Sequence, residues 1–266
     1  MPATPPIPRD IPDLPAIPRA PALLPAPVPA TAVVAPAPRR LTAAFRLLTA
    51  LAATAGVTIH LLLGSPPRVL SHFTIQSSIL LALVLTLSAR RSWTARRPLP
   101  ATLTGATLLY VTIAALVHHL LLTNEASPFA MPASITGDTT PTLVQTIADH
   151  ILHTAVPIAA LLDWLLLTTP GRLHLRQASG WLLYPLAYLA FSFARGEFLL
   201  PGTPGRYLYS FLDVDRHGYK GVLGNALLLG LSIYAVAVLL IALDHARPNP
   251  IRHRAKTGFR LQPPVG

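Results

Sequence analysis

The feature that most constrains this chain is a set of five long apolar segments. A helix needs about 20 apolar residues to cross the roughly 30 Å hydrocarbon core of a bilayer. Stretches of about that length occur at residues 41–63, 71–88, 101–122, 142–168 and 220–243. Backbone groups in lipid cannot bond to water, and the segments lack the alternating pattern of a membrane β-barrel, so we expect each to be a helix.

A shorter segment at residues 179–193 reads SGWLLYPLAYLAFSF. It contains Pro185, but its Trp181, Tyr184 and Tyr188 are typical of a helix end at the membrane interface. We count it as a further crossing. The sequence therefore predicts an all-α, polytopic membrane protein with six transmembrane helices.

The composition excludes several classes of function. Hydrophobic residues make up 52% of the chain and charged residues only 12%, too little polar surface to cover a water-soluble globule. The formal net charge is +11, but the basic residues lie beside apolar segments, as in loops that face anionic lipid. We therefore expect membrane lipid, and not nucleic acid, as the partner. The absence of cysteine excludes disulfides, thiolate metal sites and thiol nucleophiles.

Three regions follow from the same patterns. Residues 1–40 are rich in proline and poor in bulky apolar side chains, which predicts a disordered arm. Residues 41–243 form the transmembrane domain, and residues 244–266 a basic cytoplasmic tail. Segments such as TPPIPRDIPDLPAIP in the arm suit polyproline II recognition, so a structural or partner-binding role stays open beside that of a solvated spacer.

The basic residues also predict the orientation in the membrane. They concentrate in the second and fourth connections between segments, as Arg90, Arg91, Arg96, Arg97, Arg172 and Arg176. The third connection, TNEASPFAMPASITGDT, has no lysine or arginine. By the positive-inside rule, both termini of a six-helix chain are then cytoplasmic, and we expect a multi-pass protein of a bacterial plasma membrane.

The fourth apolar segment carries the most suggestive polar residues. Ionisable groups inside a membrane are costly and often mark functional sites. Asp149 and His153 are four residues apart on one helical face, so the carboxylate can orient the imidazole as a general base requires. Pro157 cannot donate to the carbonyl of His153, which predicts a kink or local opening there. The alternative is a satisfied polar cluster between helices.

Hydroxyl, amide and imidazole side chains lie near the same face of the membrane. The second segment begins SHFTIQSS and carries Thr74 and Gln76, residue types that often bond between helices. Several histidines lie toward this side: His60, His72, His118, His119 and His150. Their spacing matches no recognised ligand signature. They nevertheless permit an alternative function, a non-enzymatic six-helix bundle that binds haem or metal or relays protons.

Three stretches carry a resemblance to a known family: HFTIQSS, DHILHTAVP and YLYSFLDVDRHGY. Together they resemble the six-helix membrane family that includes the eukaryotic androgen-induced membrane hydrolases and a branch of actinobacterial integral membrane proteins. In the characterised eukaryotic members, a threonine and a histidine cleave fatty acid esters of hydroxy fatty acids. The resemblance covers residues 41–243, and Ser210 replaces a usual proline.

The resemblance implies roles for individual residues. Thr74 and His153 match the catalytic threonine and histidine, and Asp149 and His150 stand where the family has a polar–histidine pair. Tyr209 and Phe211 match the loop before the last helix. We expect Asp149 in the catalytic group, and Gln76, His150, Tyr209 and Phe211 at the substrate.

These assignments predict a cofactor-free hydrolase of lipid esters. Thr74 would attack the ester carbonyl, with His153 as base, since a threonine hydroxyl needs an adjacent base. Asp149 would stabilise the imidazolium, and Gln76, Ser77 or free N–H groups at the helix start would bind the oxyanion. Counting residues from the predicted helix ends puts Thr74 and His153 at depths that differ by roughly 10 Å, unless tilt or a kink brings them together.

Overall fold

The computed structural model of the chain describes residues 38–124, 126–129, 142–201, 203 and 205–248. Within these residues the fold is all-helical and has no strand, which confirms the predicted all-α class. Nearly all of the predicted N-terminal arm and most of the predicted basic tail lie outside the described residues. The division into three regions therefore stays a prediction.

Eight helices are described in this part of the chain. The first four are α1 Arg40–Leu63, α2 Pro66–Leu70, α3 Phe73–Trp93 and α4 Ala101–Leu122. The others are α5 Leu143–Leu167, α6 Leu175–Trp181, α7 Leu183–Phe198 and α8 Val214–Ala246, with a 3₁₀ turn at Ser210–Leu212 before α8.

Five of the described helices, α1, α3, α4, α5 and α8, are long and apolar enough to cross a membrane. The chain is accordingly a multi-pass membrane protein. The predicted crossing at residues 179–193 corresponds to the end of α6 and most of α7. α7 has only 16 residues and contains Pro185 in its first turn, so it falls short of the length that a full span needs.

Local sequence explains where the helices begin. Thr142 caps α5, because its hydroxyl accepts the N–H of Gln145 while the Gln145 side chain accepts the N–H of Thr142. Asp213 caps α8 by accepting backbone N–H groups of the first turn. Gly218 has φ 63° and interrupts this first turn, so the continuous part of α8 begins close to the predicted residue 220.

The helices pack through small residues. Ala50 and Ala53 on α1 are buried in the main apolar core. Gly56 follows them, and a Cβ atom there would lie 2.7 Å from Cδ2 of Leu152 on α5. Close backbone approach at small residues is the usual way in which membrane helices associate. It brings α5 against α1 beside His153.

A buried ion pair holds the end of the bundle where α1 begins. Nε of Arg46 donates to Oδ1 of Asp163 at 2.7 Å, and Nη1 donates to Oγ of Ser88 at 2.9 Å and of Ser92 at 3.0 Å. These contacts join α1, α3 and α5. Because the guanidinium and the carboxylate satisfy one another, both charges are tolerated in the interior. The histidine-rich end of the same three helices lies at the opposite end of the bundle.

Candidate functional site

Thr74 and His153 meet between α3 and α5. Nε2 of His153 lies 3.2 Å from Oγ1 of Thr74, and both residues are buried. The depth difference of roughly 10 Å estimated from the sequence is therefore absent from the packed bundle. Thr74 sits in the first turn of α3, which begins at Phe73. The two residues that the family resemblance pairs are in hydrogen-bonding contact.

The second ring nitrogen of His153 determines its tautomer. Nδ1 lies 3.1 Å from the main-chain oxygen of Asp149, and a carbonyl oxygen can only accept a hydrogen bond. Nδ1 therefore carries the proton in the neutral ring, which leaves the lone pair of Nε2 toward Thr74. The Thr74 hydroxyl donates to Nε2 in this arrangement, which is the geometry of a hydroxyl nucleophile and its base.

A π-helical turn carries His153. The turn spans Ile151–Ala155, and a second π turn at His118–Leu122 lies on α4. π turns inside α-helices are frequent at functional sites. Nε2 of His119 lies 3.2 Å from the main-chain oxygen of His153, so it donates to the carbonyl that Pro157 cannot serve. This turn is the local opening predicted from Pro157. The imidazole of His119 on α4 supplies the hydrogen-bond donor that the carbonyl of His153 lacks within α5.

His118 covers one face of the His153 ring. The two rings stack with centroids 3.8 Å apart and planes 16° apart. The stack limits rotation of the His153 ring, and the bonds at both of its nitrogens limit rotation further. The base is therefore held in one orientation by groups from α3, α4 and α5.

Asp149 differs from its predicted role as a carboxylate partner of His153. It reaches His153 only through its main-chain oxygen. Its side chain points to α1, where Oδ1 lies 3.3 Å from Nε2 of His60, although these two atoms lack hydrogen-bonding geometry. His60 is fully buried, and neither of its ring nitrogens has a hydrogen-bond partner among the described residues. The reason is that Nδ1 of His153 bonds the main-chain oxygen four residues earlier, as Nδ1 of His245 does with Ile241, while the Asp149 carboxylate faces α1.

Tyr209, in the loop before α8, packs its side chain against the N-terminus of α3. Its hydroxyl accepts the N–H of Phe73, the residue before Thr74, at 3.2 Å. Burial raises the pKa of the Tyr209 hydroxyl, so the group keeps its proton and can still donate. Phe211 stacks on Tyr209 with ring centroids 5.2 Å apart. The loop before α8 thus places a hydroxyl donor at the first turn of α3, which carries Thr74.

The other predicted oxyanion and substrate residues have different surroundings. The Gln76 amide donates to the main-chain oxygen of Leu70, and its oxygen accepts from Tyr184. The Ser77 hydroxyl donates to the main-chain oxygen of Thr74. His150 is exposed and lies outside the cavity wall described below. Neither Gln76 nor His150 is brought to the Thr74 hydroxyl.

A cavity of about 540 Å³ begins at this cluster. Its volume falls within the roughly 300–1,000 Å³ of small-molecule sites. Its polar wall includes Thr74, His118, His153 and Tyr209, and the ring of Phe211 lies beside them. The rest is mainly aliphatic side chains of α4, α7 and α8. Leu186 on α7 and Leu227 on α8 line it and are also exposed, so the cavity reaches the outer surface between these two helices.

The sequence prediction did not include Arg68. This residue on α2 lines the same cavity. A signal for it was present, because an arginine in the first connection stands on the side of the membrane where the positive-inside rule expects few basic residues. The alternative function predicted for the histidines included binding of a metal ion. Among the described residues, no group of three or more histidine, aspartate or glutamate side chains is arranged to hold one.

Comparison of the chain with protein-family models, with curated proteins and with solved structures gave no match.

Proposed function

We propose that this protein is an intramembrane hydrolase of lipid esters that uses Thr74 as nucleophile and His153 as base. The observation that carries the proposal is the contact of 3.2 Å between Thr74 Oγ1 and His153 Nε2 in the wall of a mainly apolar cavity. A satisfied polar cluster would explain the contact alone. It would not explain why the pair faces a cavity open toward lipid.

The reaction follows from the tautomer of His153. Oγ1 of Thr74 attacks the ester carbonyl carbon, and its proton passes to Nε2 of His153. The imidazolium then gives that proton to the leaving alkoxide, and an acyl-threonine remains. Water attacks the acyl-threonine, with His153 again accepting a proton, and releases the carboxylic acid and Thr74. Each proton that His153 takes up is returned in the following step.

Two groups stabilise charge during these steps. The Tyr209 hydroxyl lies beside Phe73 and lines the cavity with Thr74, and its proton can be donated to the oxyanion of the tetrahedral intermediate. The main-chain oxygen of Asp149 accepts from Nδ1–H of His153 and stabilises the imidazolium. The substrate enters from the bilayer between α7 and α8, so its chain does not leave apolar surroundings.

The family resemblance and the topology belong to the same proposal. The motifs around Thr74, His153 and Tyr209 resemble those of the androgen-induced membrane hydrolases, and the structure places all three residues at one cavity. With α6 and α7 together forming a sixth crossing, both termini are cytoplasmic, in a bacterial plasma membrane. The ends of α3, α4 and α5 that carry the site then face away from the cytoplasm.

A fluorophosphonate probe tests the nucleophile. The purified protein in detergent is expected to be labelled covalently, with fluoride as the leaving group, and Thr74→Ala should abolish labelling. His153→Gln should slow labelling by at least about 100-fold, the lower range for loss of a general base. Thr86→Ala is the matched control, because Thr86 lies on the same helix and its hydroxyl only donates to the main-chain oxygen of Ala82.

The folded state of each variant is checked by its thermal unfolding midpoint. Labelling of Thr74→Ala at the wild-type rate would overturn the nucleophile. Absence of labelling and of lipid ester hydrolysis in folded wild-type protein would overturn the enzyme.

A further inference from the structure

Arg68 is the one arginine, lysine, aspartate or glutamate among the described residues that line the cavity. The cavity is otherwise mainly apolar, with a few imidazole and hydroxyl groups at one end. A cation in such surroundings is unfavourable unless an anion or several acceptors compensate it. The question is therefore what pairs with this guanidinium.

The described part of the chain supplies no partner for the Arg68 side chain. Its Nε is buried without a hydrogen-bond acceptor. The acidic residues of the loop before α8 and of its first turn are already paired, since Asp215 binds Arg206 at 2.8 Å and Asp213 lies 3.5 Å from Arg216. Arg68 thus keeps donors available to a ligand.

The guanidinium is also held in position. Gly205 has φ +73°, and a Cβ atom there would lie 3.0 Å from Cζ of Arg68, so the side chain packs directly on the backbone of the loop. Nη1 of Arg195 donates to the main-chain oxygens of Gly205 and Arg206 at 2.8 Å each and braces that loop. Arg68, although partly exposed, is therefore packed on the loop that Arg195 braces.

Two guanidiniums lie near this end of the cavity. The pKa of His72, just before α3, is lowered to about 4, chiefly by burial and also by the charges of Arg68 and Arg195. His72 is consequently neutral at pH 7, and it neither repels nor attracts an anion strongly. Arg68 and Arg195 have no carboxylate partner among the described residues.

We propose that Arg68 binds the carboxylate or phosphate of an anionic amphiphile whose chain fills the cavity, and so selects anionic lipid esters for the Thr74 site. The fork of N–H donors on a guanidinium matches both anions. The aliphatic walls on α4, α7 and α8 take the chain. The selection of an ester rests on the proposed hydrolase, whereas the binding of an anionic amphiphile does not.

Equilibrium binding tests the inference without turnover. The full chain in nanodiscs of neutral phosphatidylcholine is titrated with palmitate, hexadecyl phosphate and uncharged hexadecanol. Wild-type protein should bind at least one of the two anions about 10-fold or more tightly than hexadecanol, the contribution of hydrogen bonds to a charged group. Arg68→Gln should remove this preference and leave hexadecanol affinity unchanged.

Two further variants make the result specific. Arg68→Lys keeps the charge but loses the fork, so it should restore only part of the preference. Arg216→Gln, a largely exposed arginine outside the cavity wall, should behave as wild type. If Arg68→Gln weakens binding of palmitate alone, the headgroup that Arg68 binds is a carboxylate. If it weakens binding of hexadecyl phosphate alone, the headgroup is a phosphate.

The inference is overturned if wild-type protein binds hexadecanol as tightly as both anions, a comparison that needs no variant to fold. It is also overturned if folded Arg68→Gln keeps its anion preference. Failure of the proposed hydrolase has a different signature, namely no fluorophosphonate labelling while the Arg68-dependent binding persists. Labelling of Thr74 without any anion preference would overturn the inference about Arg68 and leave the proposed hydrolase standing.

Discussion

At the scale of single residues, the main-chain oxygen of Asp149 decides the chemistry of His153. The predicted role of the Asp149 carboxylate is taken by a backbone carbonyl, which sets the tautomer equally well because it can only accept from Nδ1–H. A carboxylate would add a full negative charge to stabilise the imidazolium. Here that charge faces His60 on α1.

Replacement of Tyr209 by phenylalanine tests charge stabilisation at this scale. The substitution removes the hydroxyl at the first turn of α3 and leaves the ring that stacks on Phe211. We expect kcat for ester hydrolysis to fall by about 100-fold or more, as on loss of one oxyanion donor, with little change in KM. Tyr219→Phe is the control, because the Tyr219 hydroxyl donates to Glu197 away from the cavity. Unchanged kcat in Tyr209→Phe would remove Tyr209 from the mechanism.

At the scale of helices, π turns bring the polar side chains together. The turns at His118–Leu122 and Ile151–Ala155 hold the stacked imidazoles, and a third at Asp163–Leu167 begins with the carboxylate that binds Arg46. Each turn shifts the helical register and re-aims the residues that follow. The contact between α1 and α5 at Gly56 holds the middle turn in place.

Substitution of Gly56 by alanine should therefore affect both stability and activity. The added methyl group would meet Leu152 on the π turn, and overpacking of this kind costs about 1–3 kcal/mol. We expect a lower thermal unfolding midpoint and a loss of hydrolysis larger than that caused by substitution of an exposed glycine. Gly224→Ala on α8 is the control, since a Cβ atom there has no neighbour within 4 Å. Equal midpoints for the two variants would show that α1 and α5 can separate at Gly56.

At the scale of the whole molecule, polarity is concentrated at the two ends of one bundle. At one end, Arg46 and Asp163 form a buried ion pair. The other end carries Thr74, His153 and the cavity. A second closed contact lies near the end of α8, where Asp244 accepts the N–H groups of Arg172 and Leu173 and pairs with Arg247. The polar groups at the Arg46 end are therefore paired with one another, whereas Thr74 and His153 at the other end face a cavity.

The proposed six crossings can be tested with single cysteines, because the chain has no cysteine of its own. A membrane-impermeant maleimide added to intact cells should label Leu200→Cys and leave Thr94→Cys and His245→Cys unlabelled. If α6 and α7 do not cross, Leu200→Cys stays on the cytoplasmic side and His245→Cys becomes accessible. All three should react once the membrane is permeabilised, which checks that each cysteine is present.

The sequence by itself determined the helical, multi-pass class, because apolar length and the need to satisfy backbone groups in lipid leave few other folds. Short motifs also led to the prediction of Thr74, His153 and Tyr209 as site residues. Only the tertiary structure decided how these residues meet. Depth counted along each helix separately fails because only the packing of the bundle fixes how far one helix is shifted along another, and the roles of Asp149, His118 and Arg68 depend on contacts between helices that no local pattern encodes.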